Sequence, residues 1–286
     1  MPAPATAALI GVVLAIVVAD GAASAQARLK PASADLSRAV PLPSDAIKRL
    51  KSGDPTQIAS ALDDARVSGK GGAQAVPVIV DLLERGLPPD LTEAAVATLG
   101  DTDSEAATPV LSWYARHRDA VVRRQAIQSL AHTGGVVAIK TLRGGLSDPD
   151  PAVRGLAATG LGSMKAKEAL GDLFVALDHK VIEASPAIGQ LCAGSECDKL
   201  AAKLGAMPFD VITRGLDIAL FRAPVDVGDD IKVKIVARVR ELGTGEANRF
   251  LRAVKDRWPK RGSPRVKQAI DQAVIATSGS PGAEGT

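Results

Sequence analysis

Two cysteines, three histidines and a dense run of cations are the residues of this chain whose types and spacing could do chemistry. Cys192 and Cys197 are the only cysteines, in the stretch Leu-Cys-Ala-Gly-Ser-Glu-Cys. One reading makes them independent thiols, one of them a small buried hydrophobe. The other makes them a disulfide, which an oxidising compartment favours. We expect the disulfide, closing a turn between two helices, with a modest stabilising effect because the loop is short. The four-residue gap is too open for thioredoxin-like redox tuning. A metal site would need two further ligands, and only His179 is loosely nearby in sequence.

The histidines, His117, His132 and His179, each fall near the end of an expected helix, where an imidazolium meets the negative end of the helix dipole. No Gly-x-Ser-x-Gly elbow and no Gly-x-x-x-x-Gly-Lys phosphate loop is present. Gly160-Leu161-Gly162 has a dinucleotide-loop spacing but ends a helix instead of following a strand. No catalytic residue, metal or cofactor is therefore expected.

The cations are more suggestive. Residues 231–267 hold 12 Lys or Arg against 3 Asp or Glu, while residues 33–115 hold 7 against 12. The whole chain carries only +3, so the imbalance is one of distribution. Lys232, Lys234, Arg238, Arg240, Arg249, Arg252, Lys255, Arg257, Lys260 and Arg261 form the candidate partner-binding patch. It reads either as the solvated cap of an array or as a surface for an anionic partner: an acidic protein, lipid headgroups or an envelope polymer. Nucleic acid fits less well, because only Phe250 and Trp258 could stack on bases there. Trp113-Tyr114 is a second candidate anchor for a partner, with one of its rings expected in the core.

The elements that position these residues begin after an unusual start. Ala7 to Ala19 is almost wholly apolar, and Ala23-Ser24-Ala25 supplies small residues for signal peptidase. Thirteen residues make a helix of about 20 Å, short of the roughly 30 Å hydrocarbon core. We expect a cleaved signal peptide over 1–25, export to the periplasm or beyond, and no spanning segment afterwards. Residues 26–43 read as an Ala/Pro-rich linker, 44–277 as the folded domain and 278–286 as a Gly/Ser-rich tail.

Within that domain the chain echoes itself every 31 residues. Val80, Leu111, Leu142, Leu173 and Leu204 make one column, Leu99, Leu130, Leu161 and Cys192 a second, and Ala95, Ala126, Ala157 and Ile188 a third. Apolar residues recur at helical spacing, so the period implies stacked helical hairpins. Lys232 to Arg240 alternates like a strand, but Ile231, Ile235, Val239 and Leu242 share one helical face, and Asp229-Asp230 suits a helix start. In the clearest unit Asp148-Pro149-Asp150-Pro151 opens a first helix, Gly162 is expected at a left-handed exit turn, and a second helix follows from Ala166.

These stretches, Asp-Pro-Asp-Pro-Ala-Val-Arg at 148–154, Asp-Ala-Val-Val-Arg at 119–123 and Leu-Gly at 161–162, resemble the HEAT repeat family. The resemblance is strong over about 89–207 and looser on either side. It implies an all-α, right-handed solenoid of six to seven hairpins whose second helices line a concave face. It implies little about activity, since the fold hosts many functions. The iron-binding His-Glu pairs of the deoxyhypusine hydroxylase type are absent: Arg118, Thr133 and Lys180 follow the three histidines. The bilin lyases built on HEAT-like repeats are an analogy of fold, and no residue selects them. The expectation is a non-enzymatic protein-interaction scaffold of the cell envelope, with a lyase-like enzyme using its groove as the alternative.

Overall fold

Helix starts repeat with the sequence. Asp54, Asp119 and Asp150 stand in extended geometry, and each side chain accepts the backbone N–H two residues on. This satisfies a donor that the first turn leaves without a partner. Pro55, Pro89, Pro151 and Pro264 occupy first turns, where their missing N–H costs nothing.

The computed structural model describes residues 40–279, which lie in one compact unit starting at Val40. The expected signal peptide (1–25), most of the linker and most of the tail fall outside the described residues. The α-helices are α1 (Ala46–Leu50), α2 (Pro55–Ser68), α3 (Val76–Arg85), α4 (Pro89–Asp101), α5 (Thr108–Tyr114), α6 (Ala120–Thr133), α7 (Gly135–Gly145) and α8 (Pro151–Ser163). They continue as α9 (Leu170–Asp178), α10 (Ala184–Leu191), α11 (Ser195–Ala202), α12 (Phe209–Phe221), α13 (Asp229–Glu241), α14 (Gly245–Arg257) and α15 (Pro264–Thr277). After α1 they pair into seven hairpins, an all-α right-handed solenoid with no strand among the described residues. Lys232 to Arg240 is helical within α13, with Ile235 and Val239 fully buried.

The core follows the columns. Leu111, Leu142, Leu173, Leu99, Leu130 and Leu161 are all fully buried, each contributing about 2 kcal/mol by leaving water. At the first unit the column slips by one position: Ile79 is buried while Val80 is only partly so.

Two rows of helices emerge, and they are not equally spaced. From α2 to α12 the even-numbered helices pack tightly on one another, whereas α3, α5, α7 and α9 touch their row neighbours sparsely. Small residues set the tight spacing. A Cβ on Gly189 would lie 2.1 Å from the Gly215 carbonyl oxygen, and one on Gly215 would lie 2.3 Å from that of Ser185. Hydroxyls bridge the same interfaces: Thr98 donates to the Leu62 carbonyl at 3.3 Å and Ser129 to that of Val96 at 2.9 Å. As far as α12 the array is thus closed on the side of its first helices and splayed on the side of its second helices. The second helices, the row expected to line a concave face, are the row with gaps between its members. The repeat's Asp-Pro helices carry the small residues, and small residues permit the closest approach.

The exit turn is corrected. Gly162 lies inside α8, where its missing Cβ makes room for Ala187. The left-handed residue is Lys165, at φ 56°. It is in register with Asp103 (φ 49°) and Gly134 (φ 73°), one per repeat. Ala166 N–H then donates back to the Leu161 carbonyl, which completes the helix end.

Candidate binding surface

A splayed row leaves clefts between its helices, and two of them share α5 as a wall. On one side, α3 and α5 enclose a slot of about 580 Å³ lined by Val80, Leu83, Val110, Pro109 and Trp113, with Glu84 at its edge. Tyr114 is buried and donates to the Leu83 carbonyl at 3.0 Å, which ties α5 to α3. Burial pushes its phenol pKa up, so it stays a donor. Trp113 packs edge-on against Tyr114, with ring centroids 4.9 Å apart, yet remains 66% exposed. Exposing so large an apolar ring forgoes burial that the fold could have used.

On the other side, α5, α6 and α7 frame an open groove of about 820 Å³. Arg116, His117, Arg118 and Lys140 line it, with Ser112 and Thr141 as polar walls. The room arises from the repeat: Gly144 and Gly145 of α7 stand in the columns of Trp113 and Tyr114, and both line the groove. A Cβ on Gly144 would meet nothing within 4 Å.

A buried pair supports the groove from beneath. Arg123 Nε and Nη2 donate to the two carboxylate oxygens of Asp148 at 2.8 and 2.9 Å, with side chains 12% and 10% exposed. Arg123 Nη1 also donates to the His117 and Arg118 carbonyls, holding the 115–119 loop in place. Arg154 repeats the device one unit later, on the carbonyls of Asp148 and Pro149. Burial alone would raise the Asp148 carboxyl pKa. The Arg123 hydrogen bonds, the Asp150 N–H and the charges of Arg123 and Arg154 outweigh burial and hold it below the ordinary range. The hydrogen bond to Asp148 correspondingly raises Arg123. By contrast, Arg116, Arg118 and Lys140 take part in no ion pair among the described residues, so the groove keeps its positive charge.

Cys192 and Cys197 are bonded, both fully buried, and close the turn between α10 and α11. His132 ends α6, and His179 caps α9; His117 instead accepts the Asp119 N–H through Nδ1. In the C-terminal run, Lys234 pairs with Asp198, Arg238 with Glu241 and Lys255 with Asp271. Arg257 grips Asp217 through two nitrogens and lies over the Phe221 ring at 4.8 Å. Arg240, Arg249, Arg252, Lys260 and Arg261 are exposed.

Lys232 departs from the surface patch in which it was placed. It is 4% exposed, donates to the Arg222 carbonyl at the end of α12, and sits 5.9 Å from the Trp258 ring centre. Burial lowers its pKa, opposed by Asp229. It acts as a helix cap, a role the run of like charges hid.

Sequence reasoning missed Arg116, Arg118 and Lys140 as a group, because the first two are separated from the third by a whole helix. The glycines at 144 and 145 were the available signal, a loss of bulk in columns that hold Trp and Tyr one repeat earlier.

Residues 76–148, the stretch that contains this surface, match the family model of HEAT repeats. The stretch is a run of HEAT repeats. No curated protein matches the chain. Among solved structures the chain is similar to the complex of CpcE and CpcF of phycocyanin lyase from Nostoc sp. PCC7120, at 19% identity, over 81% of this chain and 93% of that one, with a TM-score of 0.44. It is also similar to two engineered proteins. One is 16% identical over 82% of this chain and 68% of that one, with a TM-score of 0.46. The other is 18% identical over 82% and 96%, with a TM-score of 0.38. Among the described residues no three or more His, Cys, Asp or Glu side chains converge to hold a metal ion, and no helix is long and apolar enough to cross a membrane.

Proposed function

We propose that this HEAT-repeat protein is a non-enzymatic interaction scaffold of the cell envelope, delivered there by its N-terminal signal sequence, and that a protein partner docks on the face made by α3, α5 and α7. The observation that carries the reading is Trp113, two-thirds exposed above an apolar slot on a helix otherwise anchored by Tyr114. Aromatic side chains at the centre of an apolar recess are the usual energetic anchors of protein interfaces. The exposed C-terminal cations Arg240, Arg252, Lys260 and Arg261 add a longer-range attraction for an anionic partner, screened beyond about 8 Å at physiological salt.

The test compares purified wild-type chain with Trp113→Ala and with a joint charge reversal of Arg240 and Lys260, as bait in extract of its own cell envelope. A partner retained by the charge-reversed bait and lost by Trp113→Ala supports docking at this face. A partner indifferent to Trp113 would rule out docking at this face. N-terminal sequencing of the exported protein should begin at Gln26; a retained Met1 sinks the envelope assignment.

A further inference from the structure

We infer that the α3–α5–α7 face recognises an acidic polypeptide segment in a fixed register, an apolar side chain entering the slot beside Trp113 and carboxylates lying in the groove over Arg116, Arg118 and Lys140. The inference rests on the docking face proposed above and specifies what fits it.

The two recesses differ in chemistry and share one wall. The slot is apolar, and its only charge is Glu84 at the edge. The groove offers cations whose neighbours are already neutralised: Arg123 by Asp148 and Arg143 by Asp172. Arg116, Arg118 and Lys140 are exposed and have no acidic partner among the described residues, so their charge faces outward. His117 lies between the two arginines and gives its Nδ1 to the Asp119 N–H, which leaves Nε2 as the ring's donor.

Width fixes the register. A helix with its side chains is roughly 10 Å across, and an extended chain advances about 3.3 Å per residue. A segment crossing α5 from slot to groove therefore places its carboxylates about three residues from its apolar anchor. Nucleic acid is a poorer match. One exposed ring is a small stacking platform, and the apolar slot would have nothing to bind.

The experiment is selection of random twelve-residue peptides displayed on phage against the purified chain, followed by fluorescence anisotropy with the enriched peptides. Selected sequences should carry Leu, Phe, Trp or Met with Asp or Glu about three positions away. The joint variant Arg118→Glu, Lys140→Glu should weaken them about tenfold or more, and Trp113→Ala by a similar factor. Both sites are exposed, and circular dichroism checks that each variant keeps its helices. Peptides that depend on Trp113 but show no acidic enrichment and ignore the charge reversal would overturn this inference and leave the docking face standing. Absence of any Trp113-dependent peptide would overturn both. Tighter binding of a twelve-nucleotide oligothymidylate, lost on charge reversal, would reassign the groove to nucleic acid. Concentration-dependent self-association abolished by Trp113→Ala would reassign the face to a second copy of the chain.

Discussion

The central hairpins and the C-terminal hairpins use the same two-helix unit and close on opposite sides. From α4 to α12 the even-numbered helices press together over Gly100, Ser129, Gly162, Gly189 and Gly215. Beyond α12 that row opens: α12 meets α14 through Phe209 against Phe250, with ring centroids 6.1 Å apart, and Phe221 against Trp258 at 5.6 Å. The opposite row closes instead, with α13 packed along α15. Which side of a hairpin stack closes is therefore decided by the size of a few residues in one interface, because ring and glycine demand different helix separations. The clefts follow the splayed side, which is why the slot and groove beside α5 exist where they do.

The largest test of this contrast is Gly189→Val. Its Cβ would meet backbone, which cannot rotate away, so we expect a loss of at least about 3 kcal/mol in urea unfolding, or no cooperative fold. Gly228→Ala, at the N-cap of α13 where a Cβ meets nothing within 4 Å, should cost no more than about 1 kcal/mol. Equal effects would show that close helix approach does not distinguish the regions.

Next come the two nearly buried cations. Arg123→Met strands the Asp148 carboxylate and should cost about 3 kcal/mol. Lys232 has no carboxylate hydrogen-bonded to it, so Lys232→Met removes a buried charge along with one cap and should stay within about 1 kcal/mol of the parent. The pair also has a pH signature. Because the folded state lowers the Asp148 pKa, the unfolded state binds its proton first as pH falls. Its stabilisation is whole above the unfolded value, about 3.9, and is lost as pH drops through the folded value. Asp148→Asn should flatten that acidic limb of the stability curve; an unchanged limb would place the pair's effect elsewhere.

Phe250→Ala then probes the aromatic wedge. Its ring is only partly buried, so about 2 kcal/mol is expected, below a full core deletion. The bridge should matter no more than that: replacing Cys192 and Cys197 by Ala should cost at most about 2 kcal/mol, the chain-entropy value for so short a loop. A larger loss would mean that the turn between α10 and α11 organises more than itself.

Much of this fold was legible because a 31-residue period and Asp-Pro starts are local signals. The row spacing was not, since it depends on which glycine meets which backbone across helices that the sequence does not order in space. Gly162 illustrates the difficulty: a glycine near a helix end has two possible uses, a left-handed turn or a close approach, and the chain used the second. The binding face was half legible. Trp113-Tyr114 stood out as a pair, but the cations beside it come from two helices and only packing unites them. In the C-terminal run, counting charges does not see that Lys234, Lys255 and Arg257 have acidic neighbours across the helix stack.

The cross-link has a consequence for the chain as a polymer. Its sulfurs come from residues only five apart, so the bond pinches off a tiny ring and ties no distant parts together. An unfolded but oxidised copy remains, at any larger scale, a simple linear thread. It can be pulled from either end through a narrow pore, such as a protease entrance, with one small knot of bulk and no long loop to jam.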